Sequence, residues 1–339
     1  MIHFIIVGIL VIVSTLLMGY GLINADLFPT QASQQAVAID QLFHVHIWLI
    51  SFFVSLIVVF ILYSLVVFRR RRGDESDGKY FEGNAKLELY WTAIPLVIVI
   101  GLAVFGAGTL SDVERRDPGA LEVNVIAQQW SWRFEYPETG AVSNQLYLPV
   151  NRQVLLRMRS QDVIHSFWVP EFRVKQDVLP GDESFVRELR ITPNEEGEFK
   201  VRCAELCGTE HYAMLADVIV VPPAEFETWV TAQAAECDED DAVCGKRWVN
   251  QYGCLSCHSL DGSSGTGPTW QGLMTGTEMM DDGTPINVDA IYLHESIVDP
   301  NAKIVEGFQP NVMPGNFAEQ LTEEQINQIV AFLLTQTGE

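Results

Sequence analysis

Cys203-Ala-Glu205-Leu-Cys207-Gly-Thr-Glu-His211-Tyr-Ala-Met214 is the stretch on which the reading of this chain turns. It places two thiols four residues apart, an imidazole four residues later and a thioether three beyond that. His165, in His165-Ser-Phe-Trp168, offers a second imidazole. Two soft thiolates, two imidazoles and a thioether suit copper better than zinc or magnesium. A single blue copper uses one thiolate, so the second cysteine needs a role of its own. Two thiolates at this spacing can bridge a pair of copper ions and share one electron between them, which keeps ligand rearrangement small during transfer.

Around this stretch the chain is built of short alternating segments, such as Leu121-Glu-Val-Asn-Val-Ile126 and Gln153-Val-Leu-Leu-Arg-Met158. They are broken by Pro137, Gly140, Pro149, Pro180 and Gly181, a spacing that predicts a small β-sandwich or barrel over residues 113–223. Pro222 and Pro223 stop the last strand. Residues 224–243 then read as a linker, a short helix followed by the acidic run Asp238-Glu-Asp-Asp241.

Towards the N-terminus the pattern changes to continuous apolar runs. Met1 to Ile23, Ile47 to Phe68 and Trp91 to Leu110 carry no Lys, Arg, Asp or Glu, and each is long enough to cross a bilayer. Arg69 to Arg72 directly follow the second run, so the positive-inside rule puts that connection in the cytoplasm and everything after Leu110 outside. Residues 43–112 therefore predict a transmembrane helical hairpin. Residues 1–42 hold a further hydrophobic span and a linker, with the span open to two readings, a retained helix or an atypical secretory signal. His44 and His46, at the start of a span, are given no ligand role.

Towards the C-terminus, Cys254-Leu-Ser-Cys257-His258 provides two thiols able to form thioethers to haem vinyl groups beside an imidazole able to reach the iron. A zinc site would need a second ligand pair, and none with suitable spacing follows. A haem used for electron transfer takes a second axial ligand, for which Met313, in Val312-Met313-Pro314-Gly315, is the candidate, with Met274, Met279 and Met280 as competitors. Leu321 to Leu334 shows helical spacing at Ile326, Ile329, Val330 and Leu333. Residues 244–339 thus predict an all-α domain; it resembles a class I cytochrome c, with Gly245 to Tyr252 and Leu321 to Leu334 as its N- and C-terminal helices, and the resemblance covers this last part of the chain. Cys237 and Cys244 lie outside both metal motifs and are read as a disulfide or as free thiols.

Over residues 43–221 the chain resembles cytochrome c oxidase subunit II. His165, Cys203, Glu205, Cys207, His211 and Met214 match the ligand pattern of that family's binuclear copper A centre, in a cupredoxin-like sandwich. Gln129-Trp130-Ser-Trp132-Arg-Phe134-Glu-Tyr136 resembles its aromatic segment, which implies that electrons reach the copper through Trp130. Leu87-Glu88-Leu-Tyr-Trp91-Thr-Ala-Ile-Pro95 resembles the start of its second membrane helix and implies a place for Glu88 at the entrance of a proton pathway. The resemblance further implies that Glu205 gives its carbonyl to copper and its carboxylate to a magnesium ion shared with subunit I. The chain departs from the family in its extra N-terminal span, its fused cytochrome, and Asp182 where many relatives carry Arg.

A net charge of -23 sets aside nucleic acid as a partner. No phosphate-cradling glycine loop and no serine elbow is present. The expectation is a multidomain protein of the bacterial cell membrane, multi-pass, with its copper and haem domains on the extracytoplasmic side. It most resembles the caa-type haem-copper oxidases, in which the second subunit relays electrons from a cytochrome c or other small redox donor through haem c and copper A to subunit I, beside subunit III, with the fused domain acting as a tethered donor. Other readings are a copper A subunit of a nitric oxide reductase and a membrane-anchored copper carrier.

Overall fold

The computed structural model describes every residue except Ser76, Lys79, Gly338 and Glu339, and every side chain among them except that of Glu183. It divides into two compact units, residues 1–116 with 171–173, and residues 117–170 with 174–339.

In the first unit the three apolar runs form three helices, α1 (Ile2–Ile23), α2 (Gln34–Val67) and α3 (Ala85–Val113), each long and apolar enough to cross a membrane. α1 packs along α2 through small residues. A Cβ on Gly19 would lie 2.4 Å from the Trp48 ring, and the Ser55 hydroxyl donates to Ser14 Oγ at 3.1 Å. Close approach of this kind is how apolar helices associate where lipid removes the hydrophobic drive. α2 starts well before the run at Ile47, in the segment read as linker, because the Ser33 hydroxyl caps it by accepting from the Ala36 amide at 2.9 Å. Hydropathy registers only the part of a helix suited to lipid.

In the second unit ten strands form two facing sheets. They are β1 (Leu121–Gln128), β2 (Ser131–Tyr136), β3 (Ala141–Ser143), β4 (Leu146–Pro149), β5 (Val154–Ser160), β6 (His165–Val169), β7 (Val174–Val178), β8 (Arg187–Ile191), β9 (Gly197–Cys203) and β10 (Leu215–Val221). The orders are β3-β2-β1-β5-β8 and β4-β10-β9-β6-β7, with β1 and β5 parallel in one sheet and β4 and β10 parallel in the other. The alternation seen in the sequence becomes inward and outward faces. Val123, Val125, Phe134, Leu156, Met158 and Phe167 are fully buried between the sheets.

The linker is structured. α4 (Pro223–Ala234) lies on the sandwich with the Trp229 ring stacked on Tyr147 at 4.0 Å and edge-on to Tyr136 at 5.3 Å. Cys237 and Cys244 are disulfide-bonded, which ties the acidic connector to α5 (Asp241–Gln251). A free tether is thereby replaced by an anchored one.

The C-terminal part of the unit adds a hairpin of β11 (Thr277–Met279) and β12 (Pro285–Asn287), then α6 (Ala290–Val298), α7 (Phe317–Gln320) and α8 (Glu323–Leu333). The hairpin strands are too short for their alternation to be legible. α8 opens with a reciprocal cap, Thr322 Oγ1 accepting from the Gln325 amide and Gln325 Oε1 from the Thr322 amide. α5 crosses α8 at Gly245, where a Cβ would fall 1.9 Å from the Gln328 carbonyl oxygen, so only glycine permits the approach. Around this crossing Val249, Leu293, Ile297, Phe317, Ile326 and Ile329 form the core.

Candidate functional site

β9 ends at Cys203 and β10 begins at Leu215, so the metal-binding stretch is the loop joining two paired strands, and β6 brings His165 beside it. All six residues proposed from the sequence converge. Cys203 Sγ lies 3.6 Å from Cys207 Sγ, 3.8 Å from His165 Nδ1 and 3.2 Å from the Glu205 carbonyl oxygen. Cys207 Sγ lies 3.5 Å from His211 Nδ1 and 3.8 Å from Met214 Sδ. Two sulfurs thus form the centre, one flanked by His165 and a carbonyl, the other by His211 and a thioether. Soft sulfur and imidazole donors at these separations fit copper. Cys203, Cys207, His165 and Met214 are buried, while the Glu205 side chain is exposed.

The electrostatics separate the two thiols. Burial pushes the Cys203 thiol up, but hydrogen bonds with His165 and the Glu205 and Ser166 backbone outweigh it and bring it down to about 6. Burial and the neighbouring Cys203 charge push Cys207 up to about 12. Protein groups alone hold one thiolate; the second needs a cation, so metal uptake expels a proton and weakens as pH falls.

Asp162 went unnoticed in the sequence. Its carboxylate accepts from His165 Nε2 at 2.9 Å and from the Gln129 and Val163 amides, each at 2.6 Å. Burial pushes the Asp162 carboxyl up, but these bonds outweigh it and hold it below the usual carboxylate range. His165 is therefore fixed with Nδ1 towards the sulfurs, the orientation that a partner on the far ring nitrogen imposes on a metal ligand. Asp162→Asn is expected to weaken copper binding by roughly 10- to 100-fold, measured by copper titration of the visible absorption. An unchanged affinity would reduce Asp162 to a turn residue.

Some distance along the same unit, Cys254, Cys257, His258 and Met313 line one apolar cavity with Leu293, Ile297 and Phe317. Met274, Met279 and Met280 do not line it. His258 Nδ1 donates to the Pro268 carbonyl at 2.8 Å, which leaves Nε2 for a metal. Burial pushes the His258 imidazole down and the Cys254 thiol up to about 12. The four groups around an apolar cavity fit a covalent haem.

Trp130 and Ser131, from the sandwich, line that same cavity. Trp130 Nε1 donates to the Cys207 carbonyl at 3.2 Å, and Gln129 Nε2 to the same oxygen at 2.7 Å. The Cys257 sulfur is hydrogen-bonded to the Trp130 backbone. Two glycines permit this packing. A Cβ on Gly208 would lie 2.9 Å from the Trp130 ring, and one on Gly253 would lie 3.0 Å from Ser131 Cβ. Arg133 bonds the Gln320 amide oxygen and lies over the Tyr252 ring at 5.3 Å, and Gln161 Oε1 accepts from Asn316 and Gln320, both at 3.3 Å. None of these pairings could be read from a linear motif.

Glu88 lies in the first turn of α3, exposed, its carboxylate accepting from the Asn84 amide at 3.3 Å. Asp182 accepts from the Ser184 amide at 2.9 Å and its hydroxyl at 2.6 Å, a local turn.

Three family profiles match the chain: cytochrome c oxidase subunit II, transmembrane domain, over residues 18–107; cytochrome c oxidase subunit II, periplasmic domain, over 140–221; and cytochrome c over 242–337. A cytochrome c oxidase subunit 2 of Thermostichus vulcanus is 35% identical over 60% of this chain and 77% of its own length. One of Alkalihalophilus pseudofirmus is 31% identical over 84% of this chain and 86% of its own length. The crystal structure of the periplasmic domain of subunit II of cytochrome oxidase of Bradyrhizobium japonicum is similar at 30% identity, with a TM-score of 0.32, over 36% of this chain and 96% of that one.

Proposed function

The chain belongs to the cytochrome c oxidase subunit 2 family, with a cytochrome c domain at its C-terminal end, and from this we propose that it relays electrons from a soluble cytochrome c-type donor to the oxygen-reducing site of subunit I in a proton-pumping oxidase. It is a component of an oxidoreductase complex of respiratory electron transport. When bound, haem c and the binuclear copper centre supply successive one-electron steps. Cys254 and Cys257 would attach the haem, and His258 and Met313 would hold its iron. Cys203, Cys207, His165, His211, Met214 and the Glu205 carbonyl would hold the copper.

The observation that carries this reading is the position of Trp130, which lines the haem cavity and donates to the carbonyl of a copper ligand. One side chain thus touches both redox sites. Burial of both thiols argues against a copper carrier, which needs exchangeable sulfur. The exposed Glu205 carboxylate is free to share magnesium with subunit I. Subunit III completes the assembly. The chain lies in a bacterial cell membrane with α1 retained, as its packing on α2 supports, and with both redox domains outside, as Arg69 to Arg72 support.

The chain purified from native membranes in mild detergent is expected to carry two coppers and one haem c, to retain residues 1–23 by intact mass, and to consume oxygen with reduced cytochrome c alongside a larger haem-bearing subunit. Consumption of nitric oxide and not oxygen would overturn the acceptor. Glu88, at the mouth of a proton pathway, should slow proton-coupled turnover when replaced by Gln; an unchanged rate would leave it a helix-end carboxylate.

A further inference from the structure

His258 is held by more than its hydrogen bond to Pro268. The Trp270 ring stacks on the imidazole with centroids 4.6 Å apart and planes 13° from parallel. The indole is itself fixed. The Trp270 backbone amide donates to the Ser259 carbonyl at 2.7 Å, the Gly267 amide donates to the Cys257 carbonyl at 3.0 Å, and Thr269 Oγ1 donates to the Ser259 carbonyl at 3.1 Å. These bonds stitch the loop carrying Trp270 to the chain on either side of His258. Gly267 makes room beside the ring, since a Cβ there would lie 2.6 Å from the imidazole. Trp270 is buried in the domain core, so the indole has no freedom to turn away.

A single in-plane hydrogen bond fixes where an imidazole points but leaves it free to rock about that bond. A flat ring pressed on its face removes the rocking. We propose that Trp270 is a positioning residue that sets the plane of the His258 imidazole at the haem iron and, through its electron-rich face, favours the ferric state. The second effect follows from charge. An imidazole bound to ferric iron carries more positive character than one bound to ferrous iron, and the indole face attracts the more positive partner.

This inference rests on the reading of Cys254 to His258 as a haem attachment site. Its test uses the full chain, haem-loaded and in detergent, with low-spin ferric electron paramagnetic resonance and spectroelectrochemistry. Wild type is expected to give one narrow low-spin signal. Trp270→Leu and Trp270→Met keep an apolar side chain but no ring. Either is expected to broaden the signal and to raise the ferrous-to-ferric ratio at a fixed potential by about two- to tenfold, the scale of one aromatic contact. Trp270→Phe, which restores a stacking ring, is expected to recover the narrow signal. Unchanged signal width and unchanged ratio in a haem-loaded Leu or Met variant would overturn the proposal. So would failure of both to hold haem while Trp270→Phe loads, because Trp270 would then serve core packing alone. A wild-type chain without covalent haem would instead bring down the attachment reading itself, an outcome distinct from either.

Discussion

Cys207→Ser is expected to abolish the near-infrared absorption of a mixed-valence copper pair and to reduce oxygen uptake by more than about a hundredfold, beyond the 10- to 100-fold typical of removing a mere supporting partner. Cys207 is the hub of the cluster. Its sulfur contacts Cys203, His211 and Met214, and its carbonyl accepts from Gln129 and Trp130. Serine fits the space but offers a hard oxygen that resists ionisation, so the bridge to a second copper is lost. Cys203, already brought down to about 6, would still bind one ion. Copper analysis should therefore find a single copper and a changed spectrum in a folded protein. An intact near-infrared band would sink the bridging assignment.

Trp130→Leu is expected to slow electron transfer between haem and copper by more than an order of magnitude while leaving both absorption spectra unchanged. The spectra should survive because Gln129 still bonds the Cys207 carbonyl and no ligand is altered. The rate should fall because the indole is the group that lines the haem cavity and also bonds a copper ligand's backbone. Flash-induced reduction of haem c followed by the copper absorbance would measure it. An unchanged rate would move the route elsewhere.

The two redox sites were legible in the sequence to different depths. The copper loop is short, and its donors are of a rare chemical type at fixed spacing. His165 joins it from a separate strand; the sequence offers it as a donor by chemical type, and only the pairing of that strand beside the loop brings it to the sulfurs. Asp162 escaped because a carboxylate three residues before a histidine is common on any surface, and only the fold turns it onto the imidazole. Trp270 escaped for a similar reason, since an aromatic in a core-forming segment carries no sign of what its face will meet. Among the four methionines, only Met313 lines the haem cavity, a fact of loop geometry that spacing could suggest but not decide.

The linker shows the same limit from the other side. Residues 224–243 read as a helix and an acidic connector, which suits a tethered donor that finds its acceptor by local concentration. In the folded chain Trp229 stacks on Tyr147, a disulfide closes the connector, and the haem cavity already meets Trp130. Docking across such a surface depends on shape, and shape is not written in composition.

What the sequence determined by itself was local. Apolar run length set the membrane helices, alternation set the strands, and donor type with spacing set copper and haem, because each depends on residues near one another in the chain. Only the tertiary structure decided how those parts meet: which nitrogen of His165 faces the sulfurs, which ring lies on His258, and that Trp130 touches both sites. Those contacts join residues far apart along the chain, and their geometry comes from the packing of whole strands and helices, with Gly208 and Gly245 marking where the approach is closest.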